Sequence, residues 1–414
     1  MKLLVLSNGH GEDEIAIRII ERLQQRTPEV ELAALPIVGQ GYAYTNLQIP
    51  LAGRVQQMPS GGFIYKGGSP LWQDLRGGLI GLTVEQLKLV REWGKQGVIL
   101  AVGDIVPLFY AWLSKTNYAF VGTAKSDYYL RDEAGWLKRT SWVERKFGSD
   151  YTPWERWLMS RPRCQAVFPR DSLTAENLQQ WSIPAYDLGN PMMDGIETSK
   201  QLKEPGLNIL LLPGSRMPEA LRNWQKILVA VAATSKILTS SNIAFNTAIA
   251  PSLDIKPFVN SALACGWKAV AKESKTATLV QHGRTLSLSQ VNYRQFLQQA
   301  KIAIAMAGTA TEQLVGLGKP AVIFPGEGPQ FTSAFAEAQS RLLGCSIAMV
   351  SSPHDVGAAI AEIIDNPQLL KQIALNGQRR MGRAGAAERI ARCLQKTLLS
   401  SGNCDRPTTA IENN

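Results

Sequence analysis

The sequence predicts an α/β fold made of two doubly wound domains, each with a mainly parallel sheet. Three observations carry this expectation. The chain has 414 residues, more than the ~250–300 at which single cores stop growing. Short apolar runs alternate with stretches of helical periodicity, which is the pattern of a parallel sheet covered on both faces. The pattern also restarts after Pro205-Gly206, where Asn208-Ile209-Leu210-Leu211-Leu212 is a second fully apolar run.

The elements follow in order. Leu3–Leu6 reads as a strand and Ser7-Asn8-Gly9-His10-Gly11 as a loop. From Glu12 to about Gln25 the apolar residues Ile15, Ile19, Ile20 and Leu23 recur at helical spacing. Glu12, Asp13 and Glu14 occupy the first turn, where the helix dipole favours acids. Further strands are expected at Val30–Leu35, Val98–Val102, Tyr118–Val121, Ala166–Phe168 and Tyr186–Leu188. In the second half they are expected at Ile243–Ala248, Ile302–Met306, Ala321–Phe324 and Ser346–Val350. Helices are expected around Leu221–Val231 and at Val356–Ile364, Pro367–Leu375 and Ala386–Leu399. The expected domains are residues 1–195 and 205–385, with a cleft between them, then a closing helix at 386–399 and a frayed polar tail at 400–414.

Composition narrows the classes. The chain is 45% hydrophobic and 19% charged, which excludes a disordered or fibrous protein. Lys+Arg 44 against Asp+Glu 34 gives +10, a balance that favours a nucleotide, a nucleic acid or an anionic membrane as partner. No nucleic-acid-binding module is recognisable. Five scattered cysteines without a C-x-x-C pattern suggest neither disulfides nor zinc. Three histidines make a His-rich metal centre unexpected, so no metal is predicted. The first apolar run is too short for a secretory signal, and no stretch has the length of a membrane span. A cytoplasmic location is therefore expected, soluble or peripheral on a membrane.

One segment breaks the rhythm. Residues 131–163 hold Trp136, Trp142, Trp154 and Trp157, with eight Arg/Lys against five Asp/Glu. It reads as a helical insertion on the first domain or as a membrane-surface or acceptor-binding element.

Several loops after strands carry chemistry. In the first, Asn8, Gly9 and Gly11 would let a ligand approach the backbone. Glu14 stands where a dinucleotide fingerprint needs a third glycine, and the crowded acids repel phosphate. The loop is thus expected to line an acceptor-side pocket, with His10 able to take a proton from a hydroxyl. Gly103-Asp104 ends another apolar strand. Asp104, followed by Ile-Val-Pro-Leu-Phe-Tyr, is either a base with a raised pKa or a helix N-cap. In the second half, Gly214-Ser215-Arg216 precedes a helix and suits a pyrophosphate. Gly308-Thr309-Ala310-Thr311-Glu312 opens another helix. Its N-terminus can hold phosphate, and Glu312 can accept from a ribose diol. Gln330 or Glu327 can bond sugar hydroxyls, and Asn376–Ala387 turns the chain into the last helix.

Taken together, Gly-Ser-Arg with Glu219, the Ala-Gly-Thr-Ala-Thr-Glu turn, Asp187–Asp194 and the Gly103-Asp104 strand end resemble bacterial lipid-A-disaccharide synthase and related proteins. The Gln330 loop and the Met-Gly-x-x-Gly-Ala-Ala turn resemble the peptidoglycan N-acetylglucosaminyltransferase. The likeness runs from about Met1 to Leu399. It implies a GT-B fold, two Rossmann-like domains facing across a cleft, and metal-independent inverting transfer from a UDP-sugar to a lipid-linked acceptor. It places Ser215 and Arg216 at the donor diphosphate, Gly308 and Thr309 beside it, Glu312 at the ribose and Gln330 at the sugar, with Gly214, Glu219 and Ala310 also among the donor-binding residues. Asp104 matches the acid of the synthase. His10 matches the glycine-loop histidine of the peptidoglycan and galactolipid transferases. The glycine loop departs from the synthase's Ser-Gly-Asp, and the Trp-rich segment lies outside its pattern. A UDP-N-acetylglucosamine 2-epimerase and a non-catalytic nucleotide-sugar-binding protein are the alternative readings.

Overall fold

The computed structural model describes residues 1–9, 11–53, 79–196, 206–239, 242–328 and 330–400. His10, Pro205 and the tail beyond Ser400 lie outside the described residues. The chain divides into two compact units, Met1–Asp194 with Gly385–Asn414, and Gly195–Ala384.

The first unit is built on β1 (Lys2–Ser7), β2 (Glu31–Pro36), β3 (Gly97–Gly103) and β4 (Tyr118–Gly122). A two-stranded ribbon, β5 (Arg131–Asp132) and β6 (Gly135–Trp136), precedes β7 (Cys164–Phe168). The main sheet is parallel, in the order β2-β1-β3-β4-β7. Its apolar runs are explained by burial on both faces. Leu3 and Val5 pack into one core with helix Gly11–Arg26, while Leu4 and Leu6 pack into the opposite core with helix Ile105–Leu113. The last helix, Ala386–Thr397, belongs to the first of these cores through Ala387, Ile390, Ala391 and Leu394. Its start is fixed by the Asp194 carboxylate, which accepts from the Gly385, Ala386 and Ala387 N–H groups at 2.7–3.0 Å. A carboxylate there satisfies donors that a helix N-terminus otherwise leaves open.

Tyr186–Leu188, expected as a strand, is not one. Only an isolated bridge, Ala185 to Val167, joins this stretch to the sheet. The local turn in which Ala185 N–H donates to Ile183 O bends the chain away after one rung. The expected helical insertion at 131–163 is the β5–β6 ribbon plus two short helices, Trp142–Phe147 and Pro153–Met159.

The second unit contains β8 (Leu207–Leu212), β9 (Ile243–Ala248), β10 (Lys268–Lys272), β11 (Thr276–Gln281), β12 (Arg284–Ser289), β13 (Ile302–Ala305), β14 (Ala321–Ile323) and β15 (Ile347–Met349). They form one sheet, in the order β10-β11-β12-β9-β8-β13-β14-β15. Five strands, β9-β8-β13-β14-β15, make the parallel core. The departure from a parallel sheet is at β10-β11-β12, an antiparallel meander that joins the core through β12. The two-residue turn His282-Gly283, with φ 51° and 75°, fits the right-handed twist of a tight hairpin. The helix expected at Pro367–Leu375 continues to Met381.

In each unit the first strand sends the chain to one side, and a later connection crosses to the other. The parting lies between β1 and β3 in the first unit and between β8 and β13 in the second. The carboxyl ends of strands at such a switch point are where open α/β sheets bind ligands.

Candidate functional sites on the two sheet edges

In the first unit, the edge is set by Asn8 and the end of β3. The Asn8 side-chain oxygen accepts from the Asp104 N–H at 3.2 Å. Gly103, at φ 136°, makes room for it, because a Cβ there would lie 2.0 Å from that oxygen. Asp104 caps helix Ile105–Leu113, accepting from the Val106 N–H at 2.8 Å. It remains half-buried at the edge. Gly9 is buried against Val38, while Gly11 is exposed and starts the first helix with open space around it.

Beside Asp104 stands one of the acids of the first helix turn. Glu12 is half-buried, and the Thr123 hydroxyl donates to its carboxylate at 3.4 Å. Burial, with the nearby charges of Asp104 and Asp13, pushes the Glu12 carboxyl up to about 6. That places it in the range of a general base or acid near neutral pH. Asp13, just behind, is buried and accepts from the Ser7 hydroxyl at 2.5 Å, which in turn accepts from Tyr44 at 2.7 Å. Three acids thus crowd one strand edge. Glu12 was findable from its place after the glycine loop, but its burial arises from tertiary packing.

In the second unit, the residues at the edge have the opposite character. Gly214, Ser215 and Arg216 follow β8, with Ser215 and Arg216 exposed. With its amide oxygen facing Arg216, Gln330 accepts from Nε at 3.2 Å and Nη1 at 2.6 Å. The fold therefore brings together two expected donor residues that are far apart in sequence. Gly308 precedes helix Thr309–Gly316, and no side chain caps that helix start. Thr309 is exposed there, with Ala310 and Glu312 half-buried in the same turn. An uncapped helix N-terminus presents N–H groups and positive potential to an anion.

Glu219 is placed differently from the expectation that it meets a ligand. It is 5% exposed, and its carboxylate accepts from the Gln330 N–H at 3.1 Å and the Phe331 N–H at 2.7 Å. Glu219 thereby fixes the loop that carries Gln330. Gly328 is needed for this, since a Cβ there would fall 2.0 Å from the Glu219 carboxyl carbon.

No family model matches the chain, and no curated protein matches it in sequence. Solved structures do match its fold. The UDP-GlcNAc 2-epimerase from Neisseria meningitidis bound to UDP-GlcNAc superposes with a TM-score of 0.57 at 15% identity, over 96% of this chain and 100% of that one. MurG of Acinetobacter baumannii gives 0.56 at 14%, over 95% and 99%. The glycotransferase of kitacinnamycin gives 0.56 at 13%, over 96% and 98%. The fold is of the GT-B type. At such identities the likeness establishes fold, and the chemistry of this GT-B chain rests on its own side chains.

Proposed function

We propose that this protein is a UDP-sugar-dependent, inverting glycosyltransferase. In this reading it moves a GlcNAc-type sugar to a lipid-linked acceptor, in the manner of lipid-A-disaccharide synthase. One observation carries the proposal: the second unit's switch point gathers Arg216, Gln330 and an uncapped helix start. Guanidinium and backbone N–H groups at that position suit a diphosphate. No Asp-x-Asp pair accompanies these motifs, so the arginine and the helix dipole take the role of a divalent cation.

The acid-lined edge of the first unit supplies the base. Glu12 or Asp104, or His10 in the same loop, removes the acceptor hydroxyl's proton. The oxygen attacks the anomeric carbon, and the bond from that carbon to the phosphate oxygen breaks. UDP departs with its charge on Arg216 and the N-terminus of helix Thr309–Gly316, the preorganised electrostatics on which such steps depend. The enzyme would work at the cytoplasmic face of a membrane. Among the described residues no helix is long and apolar enough to cross one.

A second reading, a UDP-N-acetylglucosamine 2-epimerase, draws support from the Neisseria likeness and needs no acceptor. One experiment separates the two. The protein is incubated with UDP-N-acetylglucosamine, with and without a membrane lipid extract, and followed by NMR. UDP released only with lipid supports transfer. A C2-inverted sugar nucleotide formed without lipid supports epimerisation. Neither product, with no binding of UDP, overturns both.

A further inference from the structure

The first unit carries a surface that neither sheet edge uses. Trp142, Trp154 and Trp157 expose 72%, 56% and 46% of their area, and Phe109 and Trp181 expose 42% and 37%. These rings are linked. Phe109 stacks on Trp112 at 5.8 Å, and Trp112 meets Trp157 edge-on at 5.4 Å. Trp154, one turn before Trp157, packs on Phe147 at 6.5 Å. Trp181 lies against Gly148, with the Arg156 guanidinium 3.8 Å from its ring. This platform runs by contacts from helix Ile105–Leu113 through helix Pro153–Met159 to Phe147, whose short helix also carries Trp142.

Cations are interleaved with it. Arg161 sits 4.4 Å over Trp157, and Lys146 5.3 Å over Trp142. The segment's acids are partly turned inward. Glu155 is 2% exposed and paired with Lys125, Asp150 accepts from the Ser126 N–H, and Glu144 folds back onto the Ser141 N–H. Lys138, Arg139, Arg145 and Lys146 all face solvent. The platform is also rigidly held. Fully buried Asp127 accepts from the Ser149 hydroxyl and the Asp150 N–H, both at 2.8 Å, and from the Asn177 amide.

We propose that this aromatic and cationic platform is the docking face for an anionic phospholipid bilayer. Indole rings favour the headgroup zone, where one side is apolar and the other wet. Guanidinium and ammonium groups held beside them meet lipid phosphates of opposite charge. Two copies of this face would instead oppose like charges, which disfavours self-association. The inference deepens the proposed function, resting on it for the lipid acceptor, and names the partner that would present that acceptor.

The test is flotation of the full chain with vesicles of phosphatidylcholine alone or with phosphatidylglycerol added. The parent protein should float with the anionic vesicles and much less with the neutral ones, and salt should weaken the binding. Trp142→Ser with Trp154→Ser, both highly exposed, should reduce binding to anionic vesicles. Arg145→Glu with Lys146→Glu should reduce it by about tenfold to a hundredfold, given the contribution of each basic residue near a charged surface. Both double variants should keep the parent's melting temperature and its affinity for UDP. Loss of UDP binding in the parent would sink the proposed function and leave the docking face standing. Failure of the parent to float, or equal flotation by both double variants, overturns the docking face. So does a concentration-dependent dimer abolished by the tryptophan changes, which would make the face a self-interface.

Discussion

At the first unit's switch point, the side chains reaching the strand ends are Asn8, Glu12 and Asp104, with Asp13 buried behind them. At the second unit's they are Ser215, Arg216, Thr309 and Gln330. The backbone solution is the same in both: parallel strands at the switch point, a reversal of strand order, and a helix leaving the edge. The chemistry differs. The first edge buries Glu12, with the like charges of Asp104 and Asp13 beside it, so that this carboxyl holds its proton to about pH 6. The second presents a guanidinium and an uncapped helix start. An anion is repelled by one and drawn to the other, so fold alone does not decide what an edge binds.

The comparison can be broken at the first edge with the largest effect. If it supplies the base, Glu12→Gln or Asp104→Asn should lower turnover by roughly 10²–10⁴-fold, the range for a lost general base, while UDP affinity holds. For Glu12 as base, the parent's rate should rise as pH passes about 6. Full turnover in both variants, measured with the true acceptor, removes the role from these carboxylates.

Backbone fit comes next. Gly103→Ala forces a side chain onto the Asn8 oxygen at φ 136°. It should cost about 1–3 kcal/mol of stability, the scale of local strain, by urea denaturation. Gly11→Ala, with open space around it, should stay within about 0.5 kcal/mol. Equal effects at the two positions would mean that Asn8 is not locked across the edge.

The smallest effect is on stability against pH. The folded state binds the Glu12 proton more tightly than the unfolded chain, so this contribution is present below pH 4.5 and is lost as pH rises through about 6. Glu12→Gln should therefore be more stable than the parent by about 1–2 kcal/mol above that range and no more stable below it. A constant difference across pH would contradict the buried-acid description.

Much of this was legible in the sequence. Leu3–Leu6 and Ile209–Leu212 could hardly be anything but central strands, because every side chain in them is apolar and both faces are covered. β11 and β12 were harder. Their inward residues Ala277, Leu279, Leu286 and Leu288 alternate with polar ones, a period-2 signal masked by the charged, exposed β10 beside them. At the site, Arg216 and Gln330 were legible as residue types, but their contact depends on the Glu219 clamp, which only packing reveals. The N-cap role of Asp104 was one of the two readings that the sequence left open. The rise in the pKa of Glu12 was not foreseen, since it depends on desolvation by distant elements.

The most direct test is calorimetric titration with UDP of the parent, Arg216→Ala and Glu12→Gln. The parent should bind, Arg216→Ala should weaken binding by about 1.5–3 kcal/mol, the scale of a charged hydrogen bond, and Glu12→Gln should bind as the parent does. Unchanged affinity in Arg216→Ala, or a loss confined to Glu12→Gln, would contradict this.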